Sequence, residues 1–257
     1  MTVESADGTL IGFDRLGAGP GMVLVHGGTV DRTSWAPVLR QLAERFTLHV
    51  VDRRGRGLSA RENGPYAIER EGEDIAAVAE AAGRDVCVVG HSYGALCGLE
   101  AALASDSIGR LFLYEPGLST PGFPVAPPGA VDWLRENAAD REKVLETVFL
   151  GALQMSPAEI DAVRSTPMWQ VYLAIVPTLA RELDAAERYT ALDRLAKIDI
   201  PVRILLGTES AAYFRPAAEA IARHVQQTDF VDLVGQEHKG IDRDPEQLVA
   251  KILDFTL

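Results

Sequence analysis

The sequence predicts an α/β fold: a mostly parallel central sheet of about eight strands flanked by helices, with an inserted helical cap. Three observations carry this. Strand-like runs alternate with helical segments along most of the chain. The runs are short and nearly all apolar, as expected of strands covered on both faces. The alternation stops between about residues 117 and 189 and then resumes. This assigns residues 1–116 and 190–257 to the α/β core and 117–189 to the cap.

Two short strands are expected near Thr2–Ser5 and Thr9–Arg15, before the turn cluster Gly17-Ala18-Gly19-Pro20-Gly21. Met22–Val25 reads as a strand ending at His26-Gly27-Gly28. Trp35–Arg45 has helical spacing, with Trp35, Val38, Leu39 and Leu42 on one face. Phe46–Val51 is the next strand and ends at Asp52-Arg53-Arg54-Gly55-Arg56-Gly57. Ile68–Ala82 is helical, rich in alanine and glutamate. Val86–Val89 and Arg110–Tyr114 are further strands, separated by a helix from Ala95 to Ala104. In the cap, proline and glycine dominate Pro116–Gly129, and helices are expected at about 130–149, 157–164 and 168–188. Strand and helix then alternate again: Pro201–Leu206, Pro216–Val225, Thr228–Leu233 and Pro245–Phe255.

Composition narrows the class. A chain of 257 residues, 47% of them apolar, suits one α/β domain with an insertion, or two small domains. Its 25 basic and 37 acidic residues leave a net charge of −12, which argues against nucleic acid as a partner. Two cysteines, Cys87 and Cys97, read as small buried thiols rather than a disulfide, and fit a reducing cytoplasm. The N-terminal residues lack the basic and apolar regions of a signal peptide. No apolar run approaches the ~18 residues of a membrane span. The expectation is a cytoplasmic protein with no membrane or nucleic-acid partner and a small-molecule substrate. Oligomeric state is not legible.

The most informative stretch is Val88-Val89-Gly90-His91-Ser92-Tyr93-Gly94-Ala95. An apolar strand runs into G-x-S-x-G, and a helix of small residues follows. Strand, sharp turn and helix place a serine at the apex, its hydroxyl clear of the sheet. A side chain at Gly90 or Gly94 would crowd the turn. In that context the motif points to a nucleophilic serine.

Together these pieces resemble the capped, single-domain α/β-hydrolase family. The matching segments are His26-Gly27-Gly28, Asp52-Arg53-Arg54-Gly55-Arg56-Gly57-Leu58-Ser59, Gly90–Gly94 and Gly235-Gln236-Glu237-His238, spread over most of the chain outside the cap. The resemblance implies that His238, after the last strand, is the base that takes the Ser92 proton. Of the other histidines, His49 reads as a packed core residue, His224 as solvated, and His26 as a support for its loop. The His91 side chain is expected to point away from Ser92.

The acid that orients the base is ambiguous. The usual family position, three residues past a glycine after Pro201–Leu206, holds Ser210, which cannot serve. Glu209 is one residue short. Glu115, at the end of the preceding strand, occupies a rarer family position and is preferred to Glu209. Either gives a Ser-His-Glu variant. The resemblance also implies oxyanion donors at the backbone N–H groups of Gly28 and Tyr93. The arginine-rich turn at Asp52–Gly57 is read as structural rather than as an anion site. In the cap, Trp133, Trp169 and Tyr172, with Phe149, are candidates to line a substrate pocket or simply to knit the helices together.

Serine at the elbow disfavours the aspartyl-ester chemistry of dehalogenases of this fold. No histidine or cysteine pair has metal-ligand spacing, and no phosphate-loop, flavin or nicotinamide fingerprint is present, so no metal or cofactor is expected. The expected activity is hydrolysis of a small to medium, largely apolar carboxylic ester or lactone through an acyl-enzyme on Ser92. C–C bond hydrolysis, thioester cleavage and cofactor-free perhydrolysis use the same residues. A non-hydrolytic ligand-binding protein on this scaffold is the alternative from a different class.

Overall fold

The computed structural model describes residues 1–151 and 155–256; the side chain of Ala191 is outside that description. Its centre is an eight-stranded sheet. The strands are β1 (Thr2–Glu4), β2 (Leu10–Leu16), β3 (Gly21–Val25), β4 (Thr47–Val51), β5 (Val86–His91), β6 (Ile108–Tyr114), β7 (Val202–Gly207) and β8 (Thr228–Leu233). Their spatial order is β1-β2-β4-β3-β5-β6-β7-β8. Only the first two pairings, β1 with β2 and β2 with β4, are antiparallel. All the others are parallel, from β4–β3 through β7–β8.

The apolar strands bury both faces. Along β3, Val23 and Val25 point into one apolar layer and Met22 and Leu24 into the other; along β5, Val86 and Val88 oppose Cys87 and Val89. The first layer is completed by α2 (Ile68–Ala82), α3 (Tyr93–Ala104) and α8 (Phe214–Ala222). The second is completed by α1 (Ala36–Ala43), α9 (Gly240–Arg243) and α10 (Pro245–Thr256). A 3₁₀ turn, Arg32–Trp35, precedes α1, so Trp35 ends that turn rather than opening the helix. The helix expected over Pro216–Val225 begins earlier, at Phe214.

Between β6 and β7 lie α4 (Ala130–Glu136), α5 (Arg141–Gly151), α6 (Pro157–Arg164) and α7 (Met168–Glu187). The single helix expected over 130–149 is two. The chain breaks at Asn137–Asp140, where the Asn137 side chain donates to Trp133 O and Asp140 accepts from the Lys143 N–H at the start of α5. These four helices share an apolar cluster of their own, including Leu134, Phe149, Ile160, Trp169 and Leu179. No described helix is long and apolar enough to cross a membrane.

Candidate active site

Ser92 follows the last residue of β5 and precedes α3. Its backbone sits at φ +55°, ψ −119°, a conformation a side chain rarely adopts. The turn is tight enough that a Cβ on Gly90 would come within 2.5 Å of Gly94 O, and one on Gly94 within 2.5 Å of His26 O. Glycine at both positions is therefore a steric requirement. One strand over, Glu115 leaves β6 with a second left-handed backbone, φ +48°. The two strained residues are linked: Ser92 N–H donates to Tyr114 O at 2.8 Å, and Glu115 N–H donates to Leu205 O at 3.0 Å.

Glu115 is fully buried, and both its oxygens are engaged. Oε1 accepts the Gly207 N–H at 2.7 Å, and Oε2 stands 2.6 Å from His238 Nδ1. That contact assigns the hydrogen to Nδ1 and leaves Nε2 of the neutral ring as a proton acceptor. Glu209 is not brought to His238. It is exposed, and its carboxylate is hydrogen-bonded to the adjacent Thr208 at 3.5 Å. Of the two candidate acids, the fold delivers Glu115.

The His238 ring is held on both faces, stacked on Phe214 (centroids 4.5 Å, 18°) and against His91 (4.4 Å, 37°). Its loop is pinned from β5 and β6. His91 Nε2 donates to His238 O at 3.1 Å, and the Tyr114 hydroxyl donates to Glu237 O at 2.5 Å. The His91 side chain lies beside His238 and lines the same cavity. Burial, reinforced by the neighbouring His238, pushes its pKa well below the ordinary histidine value, so it is a neutral packing partner.

Ser92 and His238 open into one cavity of about 200 Å³. Gly27, Gly28, Thr29 and Ser34 form its polar side; Phe149, Met155, Val163 and Tyr172 from the helical insertion cover it. Of the aromatic candidates, Tyr172 and Phe149 face the cavity. Trp133 and Trp169 do not. Trp169 is buried in the insertion's apolar cluster with its Nε1–H donated to Glu142, and Trp133 packs under Lys143. The cavity also meets Lys239 and Asp242, which sequence reasoning did not single out. Their place just after His238 was the available signal.

The backbone N–H groups of Gly28 and Tyr93 make no hydrogen bond among the described residues. Tyr93 is the first residue of α3, where N–H groups have no partner within the helix. Gly28 lies beside it: a Cβ on Gly28 would be 3.9 Å from Tyr93 Cβ. The turn after β4 is structural, as its charges suggested. Arg53, Arg54 and Arg56 are buried and paired with Glu71, Asp74 and Glu182. Among the described residues no cluster of histidine, cysteine, aspartate or glutamate could hold a metal.

Comparison with known proteins agrees with this architecture. The sequence signature of the alpha/beta hydrolase family matches residues 22–251, and the chain belongs to that family. It is a hydrolase. It is similar to N-formylmaleamate deformylase of Pseudomonas putida, 37% identical over 128 residues; the match spans 47% of each chain, about half the length of that relative. A longer match joins it to 2-(acetamidomethylene)succinate hydrolase of Mesorhizobium japonicum, 26% identical over 93% of this chain and 88% of the relative. Among solved structures, an alpha/beta hydrolase from Sphaerobacter thermophilus is 33% identical with a TM-score of 0.84, covering 100% of both chains.

Proposed function

We propose that the protein is a serine hydrolase that cleaves a small, largely apolar carboxylic ester or lactone. The observation that carries this is Ser92 and His238 at one small cavity, with Glu115 on His238 Nδ1 and two nearby backbone N–H groups that have no partner among the described residues. His238 Nε2 takes the Ser92 proton as Oγ attacks the acyl carbonyl. Glu115 fixes the ring's tautomer and stabilises the imidazolium. The N–H groups of Gly28 and Tyr93 receive the oxyanion. The C–O bond then breaks, and His238 returns the proton to the leaving alcohol. Water repeats the sequence on the acyl-enzyme, freeing the acid and restoring Ser92. No cofactor is needed. The cavity, at about 200 Å³, is below the usual span of about 300–1,000 Å³ for ligand pockets and favours short acyl groups. The test is hydrolysis of p-nitrophenyl acetate and labelling by a fluorophosphonate. Both are expected of the parent and lost in Ser92→Ala; an unlabelled parent with undiminished Ser92→Ala would overturn the reading.

Lys239 favours a second reading. A cation at the cavity beside His238 suits an acidic acyl compound, and the two curated relatives are named for a maleamate and a succinate. In this reading the scissile bond is an N-acyl amide, cleaved by the same steps except that the C–N bond breaks and His238 returns the proton to the leaving nitrogen. Lys239→Met is then expected to raise KM for N-formylmaleamate while leaving p-nitrophenyl acetate unaffected; an equal effect on both would dismiss it.

A further inference from the structure

We infer that Arg53 and Arg56, clamped by Glu182 of α7, are positioning residues that orient and polarise the Gly27–Gly28 peptide whose N–H receives the oxyanion. The inference rests on the serine-hydrolase reading above.

Three donors converge on the Gly27 carbonyl oxygen. Arg53 Nη2 lies at 3.2 Å, Arg56 Nη1 at 3.4 Å and His26 Nδ1 at 2.8 Å. The direction of the last follows from the other ring nitrogen. His26 Nε2 accepts the Arg53 backbone N–H at 3.2 Å, so in the neutral ring Nδ1 carries the hydrogen. Complete burial, with two guanidinium neighbours, keeps that ring neutral. The same arginines hold the adjacent carbonyls: Arg53 Nε donates to His26 O at 3.2 Å, and Arg56 Nη1 to Val30 O at 2.5 Å.

A trans peptide is planar, with its N–H opposed to its C=O. No described peptide bond is cis. With Gly27 C=O turned into the arginines, Gly28 N–H turns away from them, on the side where Gly27 and Gly28 line the cavity. Cationic donors on the oxygen draw electron density along the amide and strengthen its N–H as a donor. The effect needs no movement during the reaction, which is what a preorganised oxyanion site requires.

The arginines are themselves fixed. Glu182 accepts from Arg53 Nη2 and Arg56 Nη2, each at 2.7 Å, and Thr178 Oγ1 accepts from Arg56 Nη2 at 2.7 Å. Arg53 also reaches the other donor residue. Its guanidinium lies 4.8 Å above the Tyr93 ring, and its partner Glu71 continues through the Tyr66 hydroxyl (3.1 Å) to the Tyr93 hydroxyl (2.5 Å). Both halves of the proposed oxyanion site are thus referenced to one buried guanidinium, and that guanidinium is tied to a helix of the insertion.

The experiment uses the full chain with Glu182→Gln, Arg56→Lys and Arg53→Lys. Glutamine keeps the shape of Glu182 without its charge; lysine keeps the charge but not the fork. Active sites are first counted by fluorophosphonate titration, so that unfolded protein does not enter kcat. A positioning role predicts a fall in kcat per titrated site of the order of 10–100-fold, below the ~10²–10³-fold cost of deleting an oxyanion donor, with KM little changed. Affinity for a trifluoromethyl ketone, which forms an oxyanion on Ser92, should fall in parallel with kcat, while affinity for the product acid stays constant. If the variants lose only titratable sites or melting temperature, and kcat per site and ketone affinity match the parent, the inference is overturned. Should the lysine variants not fold, Glu182→Gln and the milder Thr178→Val decide by the same two readouts. A parent enzyme that fails to label at Ser92 would instead sink the serine-hydrolase reading itself.

Discussion

Glu115 Oε2 and His238 Nδ1 lie 2.6 Å apart, although 123 residues separate them in the chain. The other carboxylate oxygen is committed to the Gly207 N–H. Each oxygen therefore faces a donor, and an amide in place of the carboxylate must set its own N–H against one of them. Glu115→Gln is expected to lower kcat by the order of 10⁴-fold, as loss of the acid does in other triads. Glu209→Gln should leave kcat near the parent value. Steady-state kinetics of the two variants on one ester would check this; the reverse ranking would return the role to Glu209.

Stability should fall on the acid side of neutrality. His26 and His91 are buried, and burial holds both pKa values well below the ordinary histidine value of about 6.5. In the unfolded chain both rings protonate below that pH, while in the fold they stay neutral. For these rings the unfolded state binds more protons, so their contribution to stability is fully present above about pH 6.5 and is lost as pH falls, by up to about 1.4 kcal/mol per pH unit for each ring. Buried Glu71, its carboxyl pushed up to about 7, opposes one ring's worth of that slope. Urea unfolding from about pH 8 to about pH 5 measures the slope. His26→Gln should make it shallower; an unchanged slope would mean that His26 is protonated in the folded protein.

Gly94→Ala should be poorly tolerated for a backbone reason. The added Cβ would lie within 2.5 Å of the His26 carbonyl oxygen, and neither β3 nor α3 can retreat without moving the elbow. A loss of about 3 kcal/mol, the upper end of ordinary overpacking, is expected in equilibrium unfolding. Gly151→Ala, where nothing lies within 4 Å of an added Cβ, is the matched control.

Chain-length preference should be set by the insertion. Phe149 lines the cavity and meets Tyr172 edge-on at 5.0 Å. Phe149→Leu, which removes ring volume without emptying the site, should shift the best p-nitrophenyl ester toward longer acyl chains. A profile identical to that of the parent would place the acyl group elsewhere.

The elbow, the glycine loop and the terminal histidine were legible because each is a local pattern: residues contiguous in sequence that fold into one turn at a strand end. The candidate acid was only narrowed to two, with Glu115 preferred to Glu209, because which carboxylate meets His238 depends on which of two loops reaches it. Only in space does Glu115 lie against His238 Nδ1, with its other oxygen on the Gly207 N–H. The cap aromatics divide for a similar reason. Trp169 and Tyr172 lie three residues apart on α7, yet only Tyr172 meets the cavity; the neighbours that bury Trp169 come from α5 and α6. The Asn137–Asp140 break in the first cap helix could have been read from its capping residues. The Glu182 clamp could not: it joins residues 129 and 126 positions apart through charge alone.

Helix α7 is fastened to the sheet domain by ions, through Glu182 to Arg53 and Arg56 and through Arg181 to Glu62. Among the described residues, no ion pair runs from α4, α5 or α6 to that domain; their bridges stay within the insertion. The insertion is therefore fastened through one helix. Helix α7 carries the ion pairs to the sheet domain, and α4, α5 and α6 are joined to α7 through the shared apolar cluster and the Arg135–Asp184 pair. Helix α7 is thus the hinge pin of the insertion: whatever shifts it moves the cavity-lining Phe149, Val163 and Tyr172 and the Glu182 pairs together.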